Sequence, residues 1–231
     1  MLISLKTGAA GLVMAGLLQA AAMLTPAMAA AMGDDVTFKV KIVIVSKADT
    51  LMVPGAAAVN APIAPGVFVV SENGAPIFYV GKAAGKDGLE ALAEDGNFEL
   101  LQKAVEAKFG DRAGMFAPGL EFVVTAKPGE RLSFATMFVQ SNDKFYGPKG
   151  GSVALFDNSG KPISGDITAA VQLFDAGTEA DQQPGAGADQ APRQKAANQG
   201  AGQNGIVMEA KDGFAYPATA DVIQVTVTPV N

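Results

Sequence analysis

Val36-Thr37-Phe38-Lys39-Val40-Lys41-Ile42-Val43-Ile44-Val45 alternates apolar and polar side chains at its start and is rich in β-branched residues. Period-two alternation sends one set of side chains to one face of an extended chain, and β-branched residues suit a pleated surface, so this segment is a strand. A Pro-, Ala- and Gly-rich passage from Val53 to Gly66 reads as irregular extended chain. It leads into a second strand, Val67 to Ser71, and a third near Ile77 to Val80. The pattern returns after Pro118-Gly119, where Leu120 to Thr125 and Arg131 to Gln140 flank the turn Lys127-Pro128-Gly129-Glu130. Ser152 to Phe156, Ile167 to Phe174 and Val222 to Thr228 complete the strands.

Helical signals are confined to one region. Asp87 to Glu94 stops at Gly96, and Phe98 to Phe109 carries apolar residues at 98, 100, 101, 105 and 109 before Gly110. Residues 177–205 are rich in Gly, Ala, Gln and Asp and almost empty of large apolar side chains, which predicts a long polar loop. About eight short strands, two short helices and no β-α-β alternation predict an all-β fold, an antiparallel β-sandwich with a short helical insert.

The first 29 residues read as a secretory signal. Lys6 is their only charge, an apolar run follows from Gly8 to Leu24, Pro26 breaks it, and Ala27-Met28-Ala29 offers small residues for cleavage. Cleavage after Ala31 is the alternative. The run contains Gln19 and falls short of the ~20 strongly apolar residues a membrane span needs. The expected mature domain is therefore 30–231, secreted or periplasmic. The full chain has 17 basic and 23 acidic residues, net −6; loss of Lys6 makes the mature part −7. Such an acidic surface is a poor general binder of nucleic acid or anionic membrane.

The absences narrow the chemistry. The chain has no Cys, His or Trp. Disulfides, thiolate and imidazole metal sites, and triads with a His base are excluded. The oxygen donors left suit hard cations such as calcium or magnesium. Acidic and amide residues gather after two strands: Ser141-Asn142-Asp143, and Asp175-Ala176-Gly177-Thr178-Glu179-Ala180-Asp181. Asp143, Asp175 and Glu179 would meet at one rim if their strands were neighbours, and Gly177 would let the loop curl so that two carboxylates four apart face one ion. Asn, Asp and Gly after a strand are also ordinary turn formers. Asp157-Asn158-Ser159-Gly160 lacks the ligand periodicity of an EF-hand.

Three segments, Met137 to Gly147 (with Ser141-Asn142-Asp143), Ala154-Leu155-Phe156-Asp157, and Leu173 to Glu179 (with Asp175-Ala176-Gly177-Thr178-Glu179), resemble the spondin N-terminal domain of F-spondin, mindin and exported bacterial proteins. Leu92-Ala93-Glu94-Asp95-Gly96 fits as well, and the likeness spans roughly Val36 to Gln199. The resemblance implies a C2-like β-sandwich with Ca2+ at one end, held by Asp143, Asp175 and Glu179, the last replacing the Asp of the animal domains. Asp181 and Asp189 lie in the same loop. The animal domains' cysteines are missing here.

The expected role is a non-enzymatic calcium-binding module for adhesion or for recognition of a protein or glycan. Two alternatives belong to other classes. A carboxylate-pair glycosidase would want an aromatic cleft, and this chain has three Tyr and no Trp. A membrane-surface binder would need calcium to bridge the acidic domain to anionic lipid. The match Ser141-Asn142-Asp143-Lys144 to the S-x-x-K pattern is rejected, because Phe145-Tyr146-Gly147-Pro148 cannot continue the helix that motif requires. Arg193 and Lys195 read as solvated loop charges.

Overall fold

The alternation in the first strand becomes a two-faced element. In β1 (Val36–Ile44), Phe38, Val40 and Ile42 are fully buried while Lys39 points to solvent. These coordinates, a computed structural model, describe residues 34–230 except 73, 75 and 76, so the predicted export signal lies outside the described residues. β1 sits between β11 (Ile223–Val230) and β4 (Glu121–Ala126), with β8 (Gly165–Asp166) beyond β11, all antiparallel. The larger antiparallel sheet has the order β10 (Met208–Glu209), β9 (Val171–Asp175), β6 (Lys144–Pro148), β5 (Arg131–Phe138), β2 (Ile63–Ser71), β3 (Ala113–Phe116). The short β7 (Val153–Ala154) also pairs with β5. The all-β sandwich read from the sequence is the observed architecture.

The sheets close over one core. Phe38, Val40, Ile42, Phe122, Val225 and Val227 of the small sheet meet Phe68, Val70, Leu132, Phe134 and Phe138 of the large one. The Phe68 and Phe122 rings stack across the gap with centroids 4.6 Å apart. A second cluster lies on the other face of the large sheet, where Val67, Val69, Ala135, Phe145 and Phe174 meet Leu89, Leu92, Leu101 and Val105. Those leucines and the valine come from α1 (Leu89–Asp95) and α2 (Glu99–Phe109), the predicted helical insert. β5 is thus covered on both faces, which explains why its sequence does not alternate. α1 ends at Gly96 with φ 69°: Gly96 N–H donates to Leu92 O and Asn97 N–H to Ala91 O, closing the helix and turning the chain toward α2.

Four details depart from the sequence reading. Ile77 to Val80 is not a strand. Ile77 N–H donates to Ser133 Oγ, and Phe78 packs against the stacked pair Phe145 and Phe174, so a short apolar run serves as a plug. β3 and β6, at four and five residues, carry no sequence period long enough to read. The segment Ser152 to Phe156 keeps only the two strand residues of β7 and a single bridge from Phe156 to Pro162, and Ile167 to Phe174 opens with a 3-10 turn, Thr168–Ala170, before β9. Residues 177–205 form the predicted loop without a helix or strand, but they are pinned down. Gln190 is fully buried there, its amide donating to Gln183 O.

Candidate metal centre

The site starts from strand register. β6 lies between β5 and β9, so the strand ending near Gln140 and the strand ending at Asp175 are not neighbours. The β5–β6 turn carries Asp143, and β6 opens with Lys144 directly opposite Asp175. The turn is held by Ser141, whose hydroxyl donates to Phe138 O and accepts the Lys144 N–H. Asp175 Oδ1 accepts the Gly177 N–H at 2.6 Å, and Gly177, at φ 68°, reverses the chain. The carboxylate this reversal returns to Asp175 is that of Asp181. A ligand oxygen from each of Asp143, Asp175 and Asp181 lies within 4.8 Å of the others. This group of carboxylates could hold a metal ion.

Lys144 occupies the middle of it. Its ammonium, 1% exposed, lies 2.8 Å from Asp143 Oδ1, 3.1 Å from Asp175 Oδ2 and 3.6 Å from Asp212 Oδ2, and also pairs with Asp181. Burial by itself would lower the Lys144 pKa, but Asp143, Asp181 and Asp175 outweigh it and push it up. Lys144 is therefore charged throughout the working range. Asp175 is raised by burial and then by the Asp143 charge, with Lys144 and the Gly177 N–H acting against both. Asp181 is raised by burial, and Lys144 opposes it. Asp212 is further tied to the Tyr216 hydroxyl, which donates to Oδ2 at 2.5 Å. Four carboxylates thus surround a single positive charge.

Glu179 is directed elsewhere. Its backbone N–H, with that of Thr178, donates to Asp143 Oδ2, so its main chain rather than its carboxylate serves the cage. The Glu179 side chain lies over Gly200, whose N–H donates to Oε1 at 2.8 Å. Asp189 accepts a hydrogen bond from the Gln182 side chain and is not part of the group. Arg193 is bound rather than free: both terminal nitrogens donate to Gln140 Oε1, and Nε donates to Gly187 O. Asp157 makes turn bonds only, its Oδ1 accepting from Ser159 and Lys161.

No protein-family model matches this chain, and no curated protein matches it.

The donor chemistry of the cage fits a hard cation. Calcium is held by carboxylate oxygens at about 2.3–2.6 Å, a spacing that oxygens within 4.8 Å of one another can meet. Sequence reasoning reached Asp143 and Asp175 and noted Asp181 only as a loop neighbour. It weighed Lys144 only in the rejected S-x-x-K match and did not reach Asp212. The one available signal was that Lys144 adjoins an acid directly before the aromatic pair Phe145-Tyr146.

Proposed function

We propose that this is an exported calcium-binding β-sandwich module that serves recognition or adhesion outside the cytoplasm. The observation that carries the reading is the excess of acid at one end of the sandwich, where buried Asp143 and Asp175 and half-buried Asp181 and Asp212 face, among the described residues, Lys144 alone. Uncompensated charge away from water is costly, and a cation relieves it. Asp143, Asp175 and Asp181 would hold the ion, with Asp212 beside them and the Lys144 ammonium withdrawn. Bound calcium would supply two positive charges and a cross-link between the β5–β6 turn, the end of β9 and the long loop. The resemblance to the spondin N-terminal domain points the same way, as do the signal-like first 29 residues and the lack of His and Cys. The face presented to a protein or glycan would be the loop surface over this cage.

A second reading has its own observation. Lys144 already sits among the carboxylates, so the cage serves as a metal-free ionic knot that fixes the long loop. One experiment separates the two. Thermal unfolding of chelator-treated protein is followed against calcium and magnesium, beside Asp175→Asn. An ion that binds only the folded state raises the melting temperature as its concentration exceeds Kd. The proposal expects a calcium-specific rise that Asp175→Asn abolishes. No shift at ~10 mM calcium, above the weak end for extracellular sites, would leave the ionic knot as the function of the cage.

A further inference from the structure

Beside the aspartate cage lies a second acidic pair that has no basic partner. Glu94, on the last turn of α1, and Glu179, in the long loop, are each only 2% exposed. Burial first, then the charges of Glu179, Glu90 and Asp95, drives the Glu94 pKa up to about 7, with the Thr178 hydroxyl acting against them. Among the described residues, no Lys or Arg forms an ion pair with either glutamate. Every other buried carboxylate described above has a cation or a set of backbone donors.

A separate observation points to a ligand. Glu179 Oε2 is buried and has no hydrogen-bond partner, although Oε1 of the same carboxylate accepts from Gly200. A buried carboxylate oxygen left without a donor costs on the order of 1–3 kcal/mol, so native proteins rarely leave one. The loop backbone is shaped around this group. A Cβ at position 200 would lie 2.1 Å from Oε2, so a larger residue there would displace the carboxylate from its place. The loop is also fastened to α1, where Asp95 Oδ1 accepts from the Gln194 amide and the Asn198 N–H.

Glu94 borders open space. A cleft of about 150 Å³ opens along α1, lined by Lys86, Glu90, Glu94, Asp95, Leu100 and Asn198. That space holds several waters at about 30 Å³ each, enough to complete the shell of a partly hydrated ion. Three of its lining side chains are acids and one is a lysine, so its field draws cations inward.

We propose that Glu94, at the α1 cleft, and Glu179, with its unpartnered Oε2, form a second cation site, separate from the aspartate cage, which takes a hard divalent ion such as calcium. Glu94 and the free Oε2 of Glu179 supply the charged oxygens, and cleft water supplies the rest. The ion ties the helical insert to the long loop. The site does not depend on metal in the cage, and the two are told apart by counting ions.

The test is equilibrium dialysis of chelator-treated protein against radiolabelled calcium, with Glu94→Gln, Glu179→Gln and Asp175→Asn compared with the natural sequence. Two bound equivalents, falling to one in each of the three variants, would support both sites. One equivalent that Glu94→Gln and Glu179→Gln each remove and Asp175→Asn keeps would support this site and refute the cage as a metal centre. One equivalent lost only in Asp175→Asn would overturn the present proposal and leave the cage standing. No bound calcium would overturn both. The Gln replacements keep side-chain shape, and a melting curve in chelator checks that each variant is folded before it is dialysed.

Discussion

Lys144→Met is the perturbation that most directly probes the cage. The methionine keeps most of the apolar stem and removes the charge. In the natural chain the ammonium is 1% exposed and reaches Asp143 at 2.8 Å, Asp175 at 3.1 Å, Asp212 at 3.6 Å and Asp181 as well. A single unit-charge attraction at such range is worth roughly 4 kcal/mol at an effective dielectric constant near 20. Several such attractions do not add in full, because the variant no longer desolvates an ammonium and its carboxylates can take up protons. Removing one partner from a buried ionic cluster costs about 3–5 kcal/mol, and that is the expected loss near neutral pH in chelator. For a domain of this size each kcal/mol moves the melting temperature by about 2–4 °C, so a drop of about 6–20 °C follows.

The assay is guanidinium unfolding in chelator, repeated across pH. Asp175 and Asp181 already have raised pKa values, and loss of Lys144 raises them further. Their protonated forms favour the folded state, so the deficit of Lys144→Met is expected to be smallest in mild acid and to grow as pH rises through those folded values. Calcium at a hundred times its Kd would return about 2.7 kcal/mol to the variant if the cage binds it. A deficit under about 1 kcal/mol in chelator at neutral pH, a size ordinary for exposed ion pairs, would refute the claim that Lys144 is the cage's main counter-charge.

Two further outcomes test other parts of the structure. In chelator, burial holds folded Glu94 at about 7 against an ordinary 4.5, so the stability it contributes is full below the lower value and is lost as pH rises through the upper one. Glu94→Gln is neutral at every pH; it should match the natural chain near pH 5 and unfold at higher guanidinium near pH 8, and equal midpoints near pH 8 would contradict the burial argument. Gly66→Ala would place a Cβ 2.3 Å from Ala135 O and 2.5 Å from Phe116 Cζ, where backbone cannot yield. A loss of about 3 kcal/mol is expected from urea midpoints, and an unchanged midpoint would show that β2 can shift against β5.

The strands that alternate were legible because their period is set by which face meets the core. β1, β4 and β11 each bury every second residue against the large sheet, and the same rule identified the sandwich. The helical insert was legible from the leucines of α1 and α2 and from the glycines that stop them. β6 was not, because it is buried on both faces and runs for five residues, so no polar face marks it. That strand decides the site. It inserts between β5 and β9, carries Lys144 to a position opposite Asp175, and turns a set of separate loop acids into a cage.

Residue types by themselves determined that any metal here must be held by oxygen, since the chain has neither His nor Cys. They also marked the two acidic segments from which the cage is built. Which carboxylates converge was decided by the tertiary structure alone. Gly177 reverses the chain so that Asp181 returns to Asp175, while Glu179 lies over Gly200. The physical reason is that spacing along a loop sets how far a side chain can reach. The direction it takes is set by the backbone bonds of its neighbours, and those exist only once β6, β9 and the long loop have packed together.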